Sequence, residues 1–162
     1  MLFRSMTIDL PGKNGACLIG IAANGDYCLN FLVKELAQVL KTRPDDPAAL
    51  NALGFTLADH SKELGRARTL IERAHTAAPH NAAILDSLGW VLYRQGHNEE
   101  ALTYLRAAYK DDRGGDIAAH LGEVLWRQGE RDEAQRIWTE ASIIDADNKL
   151  LKRTRQRLQA AD

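Results

Sequence analysis

The chain has 162 residues, 45% of them apolar and 27% charged, with a net charge of −1. That is the balance of an ordinary globular protein, and it excludes wholesale binding to nucleic acid or to an anionic surface, which needs a strong basic excess. No apolar run approaches the roughly 20 residues of a membrane span, and abundant Ala and Leu with few prolines favour helix.

Taken in chain order, residues 1–26 form an irregular or non-native segment. LFRS (2–5) matches the translation of a common sequencing adapter, so the first residues are expected not to be native and the chain to be a fragment. ACLIGIAA (16–23), after Arg4 and Lys13, has the length of a signal-peptide core, but NGDY before Cys28 lacks the small residues of a lipoprotein cleavage site. It reads as a buried strand or an irregular cap. Cys17 and Cys28 lack metal-ligand spacing, and no histidine lies nearby; whether they pair is left open.

From residue 27 onward the pattern is helical, and from residue 47 it repeats. SLGWVLYRQG (87–96) and HLGEVLWRQG (120–129) spell the same helix 33 residues apart, and ALGFTLADHS (52–61) is a weaker copy. Gly54 stands 35 residues before Gly89, and Gly89 stands 33 before Gly122, a period near 34 with two helices per unit. A second helix follows each copy, with Ala67, Ala101 or Ala134 near its start. Asp46, Asn81 and Asn148 are placed to cap first helices, with Pro47 at the first helical position. Gly96 and Gly129 fall where a helix stops in the left-handed region, and Gly114 takes the cap position in DDRGGD (111–116). Leu85, Leu88, Gly89 and Leu92 form one helical stripe. Glycine there costs about 1 kcal/mol of helix propensity against alanine. The repeated cost implies close approach of a partner helix, with Ala74, Ala108 and Ala141 as the small residues expected to meet the glycines.

These residues resemble the tetratricopeptide repeat. The motif runs as Leu50, Leu53-Gly54, Leu57, Ala67, Ile71, Ala74, Pro79; as Leu85, Leu88-Gly89, Leu92, Ala101, Leu105, Ala108; and as Leu121-Gly122, Leu125, Ala134, Trp138, Ala141. The resemblance implies an all-α fold, a right-handed α-solenoid of helix-turn-helix repeats. It divides the chain into a half repeat (27–46), three repeats (47–81, 82–114, 115–148) and a capping helix with its tail (149–162). Trp138 fills a large apolar slot and is core, while Tyr104 and Tyr109 are expected to be partly exposed packing residues.

In that family the stripe beside the glycines lines a concave groove that holds partner peptides. Here the resemblance places Asn51, Phe55, Asp59, Asp86, Trp90, Tyr93, Arg94, Glu123, Trp126 and Arg127 in the groove. For Trp90, Tyr93 and Trp126, packing between helices is an equal alternative, since aromatics at helical spacing usually belong to a core. Some members grip a terminal carboxylate with Lys, Asn and Arg. The matching places here hold Asn51, Phe55, Ser87, Asp116 and His120, so that clamp is missing and a chaperone-tail receptor is not expected.

No catalytic or cofactor motif is present. GKNGAC lacks the spacing of a phosphate loop. The histidines scatter over turns and helix surfaces, and His120 with Asp116 one turn away reads as a solvated pair. KLLKRTRQRLQ (149–159) carries five basic residues and reads as a cap with leucines down and charges in water, ahead of a surface for an anionic partner.

LNALGFTLAD, LDSLGWVLYRQG and IAAHLGEVLWRQGERDEAQRIW are similar to the C-terminal repeats of proteobacterial outer-membrane lipoproteins of this repeat class. Those proteins act as periplasmic scaffolds, at least one as adaptor for a carboxyl-terminal processing protease. That resemblance implies a periplasmic location, with membrane attachment only through an N-terminal anchor; without it the location is cytoplasmic. The function expected is a non-catalytic adaptor with a protein or peptide partner, and neither a nucleic acid, a cofactor nor a small-molecule substrate. The alternative is a structural module that self-associates through the helix at 27–43.

Overall fold

The computed structural model describes residues 25–161, with side chains from Leu29 onward. The expectations for residues 1–24, and the pairing of the two cysteines, lie outside the described residues. The described residues form eight helices and no strand. They are α1 (Gly25–Thr42), α2 (Pro47–Asp59), α3 (Leu64–Ala77), α4 (Ala82–Arg94), α5 (Asn98–Asp111), α6 (Gly115–Gln128), α7 (Arg131–Ile144) and α8 (Lys149–Gln159). Helices α2/α3, α4/α5 and α6/α7 are antiparallel pairs stacked side by side, with α1 covering α2 at one end and α8 resting on α6 at the other. Eight helices stacked in this order make an α-solenoid with a capping helix.

Local chemistry sets the helix ends. Asp46 accepts from the Ala49 N–H at 2.9 Å, Asn81 from Ile84 at 3.2 Å and Asn148 from Leu151 at 2.8 Å. Each satisfies an amide that the first turn leaves without a helical partner. At the other ends, Gly96 and Gly129 take φ of +86° and +90°. The amides of His97 and Glu130 then turn back to the carbonyls of Leu92 and Leu125, both at 2.9 Å. In the first pair, Lys62 reaches Leu57 in the same way, but the left-handed position is held by Ser61 at φ 52°. The extra residue of that turn brings a second left-handed side chain, Glu63, at φ 45°.

The stripe glycines do meet a facing helix, though not at the expected alanines. A Cβ on Gly89 would stand 2.6 Å from Leu105 Cγ and 3.0 Å from the Ala101 carbonyl oxygen. On Gly54 it would stand 2.5 Å from Ile71 and 2.9 Å from the Ala67 carbonyl, and on Gly122 it would enter the Trp138 indole. So the glycine receives the large apolar side chain of the second helix, one turn before Ala74, Ala108 or Ala141, which are buried beside it. Trp138 is fully buried, Tyr104 half-buried, and Tyr109 buried rather than partly exposed, because its ring lies in the α5–α6–α7 core.

The last helix breaks the stacking pattern. Helices α4 and α6 each pack on the preceding second helix, whereas α8 packs on α6 and barely touches α7. Both ends of α8 are tied to α6: Asn148 Nδ2 donates to Asp116 at 2.9 Å, and Arg157 pairs with Glu123 at 2.6 Å. The double glycine of the third repeat makes room for this. Gly114 caps α6, and a Cβ on Gly115 would come within 2.5 Å of the Asn148 side chain. The shift leaves Ile143 and Ile144 exposed at the end of α7.

Candidate functional site

The even-numbered helices together line one concavity. It is a cavity of about 610 Å³ whose lining comes only from α2, α4, α6 and α8. Helix α2 contributes Asp59, and α4 contributes Trp90, Tyr93 and Arg94 at i, i+3 and i+4. Helix α6 contributes His120 and Glu123, and α8 contributes Leu150, Arg153, Thr154 and Arg157, again at i, i+3, i+4 and i+7. Helical periodicity is therefore what brings each set to one wall.

The floor is aromatic and charged. The His120 ring is stacked on Trp90, centroids 4.3 Å apart at 25°, and tilted against Phe55 at 5.7 Å. Its Nδ1 donates to both oxygens of Asp86, at 2.9 and 3.0 Å, a contact joining α4 to α6. A carboxylate can only accept, so Nδ1 carries the proton. Burial pushes the imidazole pKa down, but the charge and hydrogen bond of Asp86 outweigh it. Asp59 and Asp116 add to them, and His120 ends above its ordinary value. His120 is thus a buried ion-pair member, not half of a solvated pair with Asp116: the superhelix carries it inward against the next first helix.

The rim is set by arginines. The Arg94 guanidinium lies over the Trp90 ring at 5.5 Å and donates to the Asp59 carbonyl at 3.1 Å and to Ser61 Oγ. Arg157 is committed to Glu123. Arg153 has no hydrogen-bond or ion-pair partner among the described residues. Tyr93 is half-buried beside Trp90, 5.3 Å between centroids. Burial first, then Glu123, raise its hydroxyl pKa against the opposing effect of Arg127, Arg157 and Arg94.

Of the residues proposed from sequence, Asp59, Trp90, Tyr93, Arg94 and Glu123 share this cavity. Phe55 and Asp86 support its floor through His120. Asn51 is buried, and its Oδ1 has no hydrogen-bond partner among the described residues. Trp126 lies elsewhere: it is buried on Trp138, centroids 5.4 Å apart, with the Arg131 guanidinium 5.1 Å over its ring. Arg127 is exposed beside it, off the cavity wall. Sequence reasoning missed His120 and the α8 wall. For α8 the signal was legible, since Leu150, Arg153 and Arg157 form a second stripe beside the buried Leu151, Thr154 and Leu158.

Residues 87–148 match the tetratricopeptide repeat family model. Over 88 residues, 54% of this chain, the sequence is 49% identical to the TPR repeat-containing protein PA4667 of Pseudomonas aeruginosa. The aligned stretch spans only 15% of that protein's length. Among solved structures, a thermophilic TPR protein of Thermus thermophilus, TTC0263, superposes with a TM-score of 0.67 at 18% identity, covering 82% of this chain and 74% of that one. MamA of Desulfovibrio magneticus superposes at 0.61 with 21% identity, covering 75% and 68%. At such identities the structural likeness shows the fold, an α-solenoid of helix pairs, and the match to the tetratricopeptide repeat model belongs to residues 87–148.

Proposed function

We propose that the chain is a non-catalytic scaffold that binds a protein or peptide partner on the even-helix groove. The observation that carries this reading is the cavity itself. Amphipathic rings with low conformational freedom stand beside arginines on one face, the composition found at the centres of protein interfaces. The site has no nucleophile paired with a base: His120 is the single histidine in it, and Asp86 holds its Nδ1 at the floor. A narrower reading is that the partner is a carboxyl-terminal processing protease in the periplasm. It rests on the resemblance of LNALGFTLAD, LDSLGWVLYRQG and IAAHLGEVLWRQGERDEAQRIW to outer-membrane lipoprotein adaptors.

The test is retention of proteins from a proteobacterial periplasmic extract on the immobilised chain, with Tyr93→Ala as comparator. A protein retained by the parent and lost on the variant supports the groove. Retention indifferent to Tyr93 refutes it, and a retained set without that protease refutes the narrower reading. Sedimentation at several concentrations tests the alternative, self-association through α1, where Phe31 is exposed. A dimer that dissociates on deleting residues 1–43 would favour it.

A further inference from the structure

The basic composition of α8 is not explained by capping alone. KLLKRTRQRLQ holds five cations and no acid, yet the leucines that pack on α6 need none of them. Because α8 leans onto α6, its second stripe becomes a wall of the groove, and Arg153 and Arg157 enter the cavity from a helix outside the three repeats. The lining then holds three arginines (94, 153 and 157) against two carboxylates, Asp59 and Glu123. Glu123 is consumed by Arg157 at 2.6 Å, and the floor pair His120–Asp86 cancels internally. What remains is Arg94, whose hydrogen bonds go to the Asp59 carbonyl and Ser61 Oγ, and Arg153, against the one carboxylate of Asp59, an excess of one positive charge beside Trp90, Tyr93 and Leu150.

We infer that this cap-closed end of the groove recognises a side-chain carboxylate of the partner, a Glu or Asp flanked by an apolar residue that lies against Leu150 and Tyr93. The inference rests on the groove being the binding face. A planar guanidinium binds a carboxylate through two parallel hydrogen bonds, and apolar walls lower the local dielectric and strengthen the pair. Arg153 comes from the cap, and Arg94 is not at one of the first-helix places where the terminal-carboxylate clamp of related repeats sits. The anion recognised is therefore internal to a peptide and does not require a free C-terminus.

The experiment is selection of amidated peptides from a random display library on the full 162-residue chain, followed by fluorescence anisotropy of the labelled winners. Expected are peptides with Asp or Glu next to an apolar residue. Changing that acid to its amide, or Arg153→Gln in the protein, should each weaken binding about tenfold, equivalent to ~1.4 kcal/mol. Lys41→Gln on α1 should not. Arg153 is exposed and unpaired, so its variant should melt as the parent does. Winners without an acid, or indifferent to Arg153→Gln, overturn the inference, and if they still depend on Tyr93 the groove reading survives. No winners at all overturn both. Phosphatidylglycerol vesicles that bind through Arg153 in place of peptides would assign α8 to a membrane surface and overturn it as well.

Discussion

Replacing Gly89 by alanine adds one methyl group, and the structure fixes what it meets. On an open helix the exchange gains up to about 1 kcal/mol of helix propensity. Here the new Cβ would stand 2.6 Å from Leu105 Cγ and 3.0 Å from the Ala101 carbonyl oxygen. Leu105 is fully buried and the second atom is helix backbone, so neither can swing aside; α4 and α5 must separate. Overpacking of this kind costs about 1–3 kcal/mol, and against the propensity gain the net loss should be up to about 2 kcal/mol. For a chain of this size that corresponds to a melting temperature lower by up to roughly 8 °C. Gly65→Ala is the control, because nothing lies within 4 Å of its Cβ. It should leave the melt unchanged or raise it slightly. The assay is thermal and urea unfolding of both variants beside the parent. If Gly89→Ala is as stable as Gly65→Ala, the close-approach account of the glycine stripe is wrong.

Four further outcomes follow from the geometry. Trp126→Ala empties a buried slot on Trp138 and should cost about 3–5 kcal/mol, while Tyr93→Ala should leave most of the fold intact and weaken partner binding about tenfold, measured by melting and binding on each variant. His120 is held above its ordinary value, so its contribution is complete below about pH 6.5 and lost as pH rises through the folded value; the melting temperature should fall across that window, and Asp86→Asn, which leaves the buried imidazole without its counter-charge, should reverse the slope. Asn148→Ala removes the cap of α8 and its bond to Asp116, and should cost about 1 kcal/mol, read as faster amide hydrogen exchange confined to α8. Ser61→Gly relieves a left-handed serine, and should raise stability by up to about 1 kcal/mol, unless the lost hydrogen bond to Arg94 offsets it.

The solenoid was legible because its determinants are local. A capping Asp or Asn, a glycine at a left-handed stop and a stripe with period 3.6 each act within a few residues, and repetition multiplies the signal. The partners of the stripe were not legible to the same degree. Spacing says that Gly89 faces a helix, but whether the facing atom belongs to Leu105 or Ala108 depends on how far one helix slides along the other, and that is settled by packing. The same limit hid His120. Its neighbours in sequence are one turn away on α6, whereas its ion-pair partner sits 34 residues back on α4, a contact that exists only once adjacent repeats have been rotated against each other. Trp126 shows the converse. It occupies the repeat position of Tyr93, but it stacks on the buried ring of Trp138 and does not join the lining of the cavity that holds Tyr93.

A separate departure arises at α8. Inside the solenoid a first helix is held between the second helix before it and the first helices on either side, so its groove-facing residues are constrained to a shallow, regular surface. Asn148 and Arg157 fasten α8 to α6 instead of α7. Freed from the regular rise, it leans across the groove and turns an open channel into a cavity with a wall. Arg153 of that wall can differ from anything in the repeats without disturbing the contact with α6, since Leu151, Thr154 and Leu158 are the buried residues of α8. The letters that keep the repeat together and the letters that give this groove its character are therefore separable, one set on the buried stripe and one beside it. That separation is why exchanging Arg153 should change what the protein binds and leave its fold as it is.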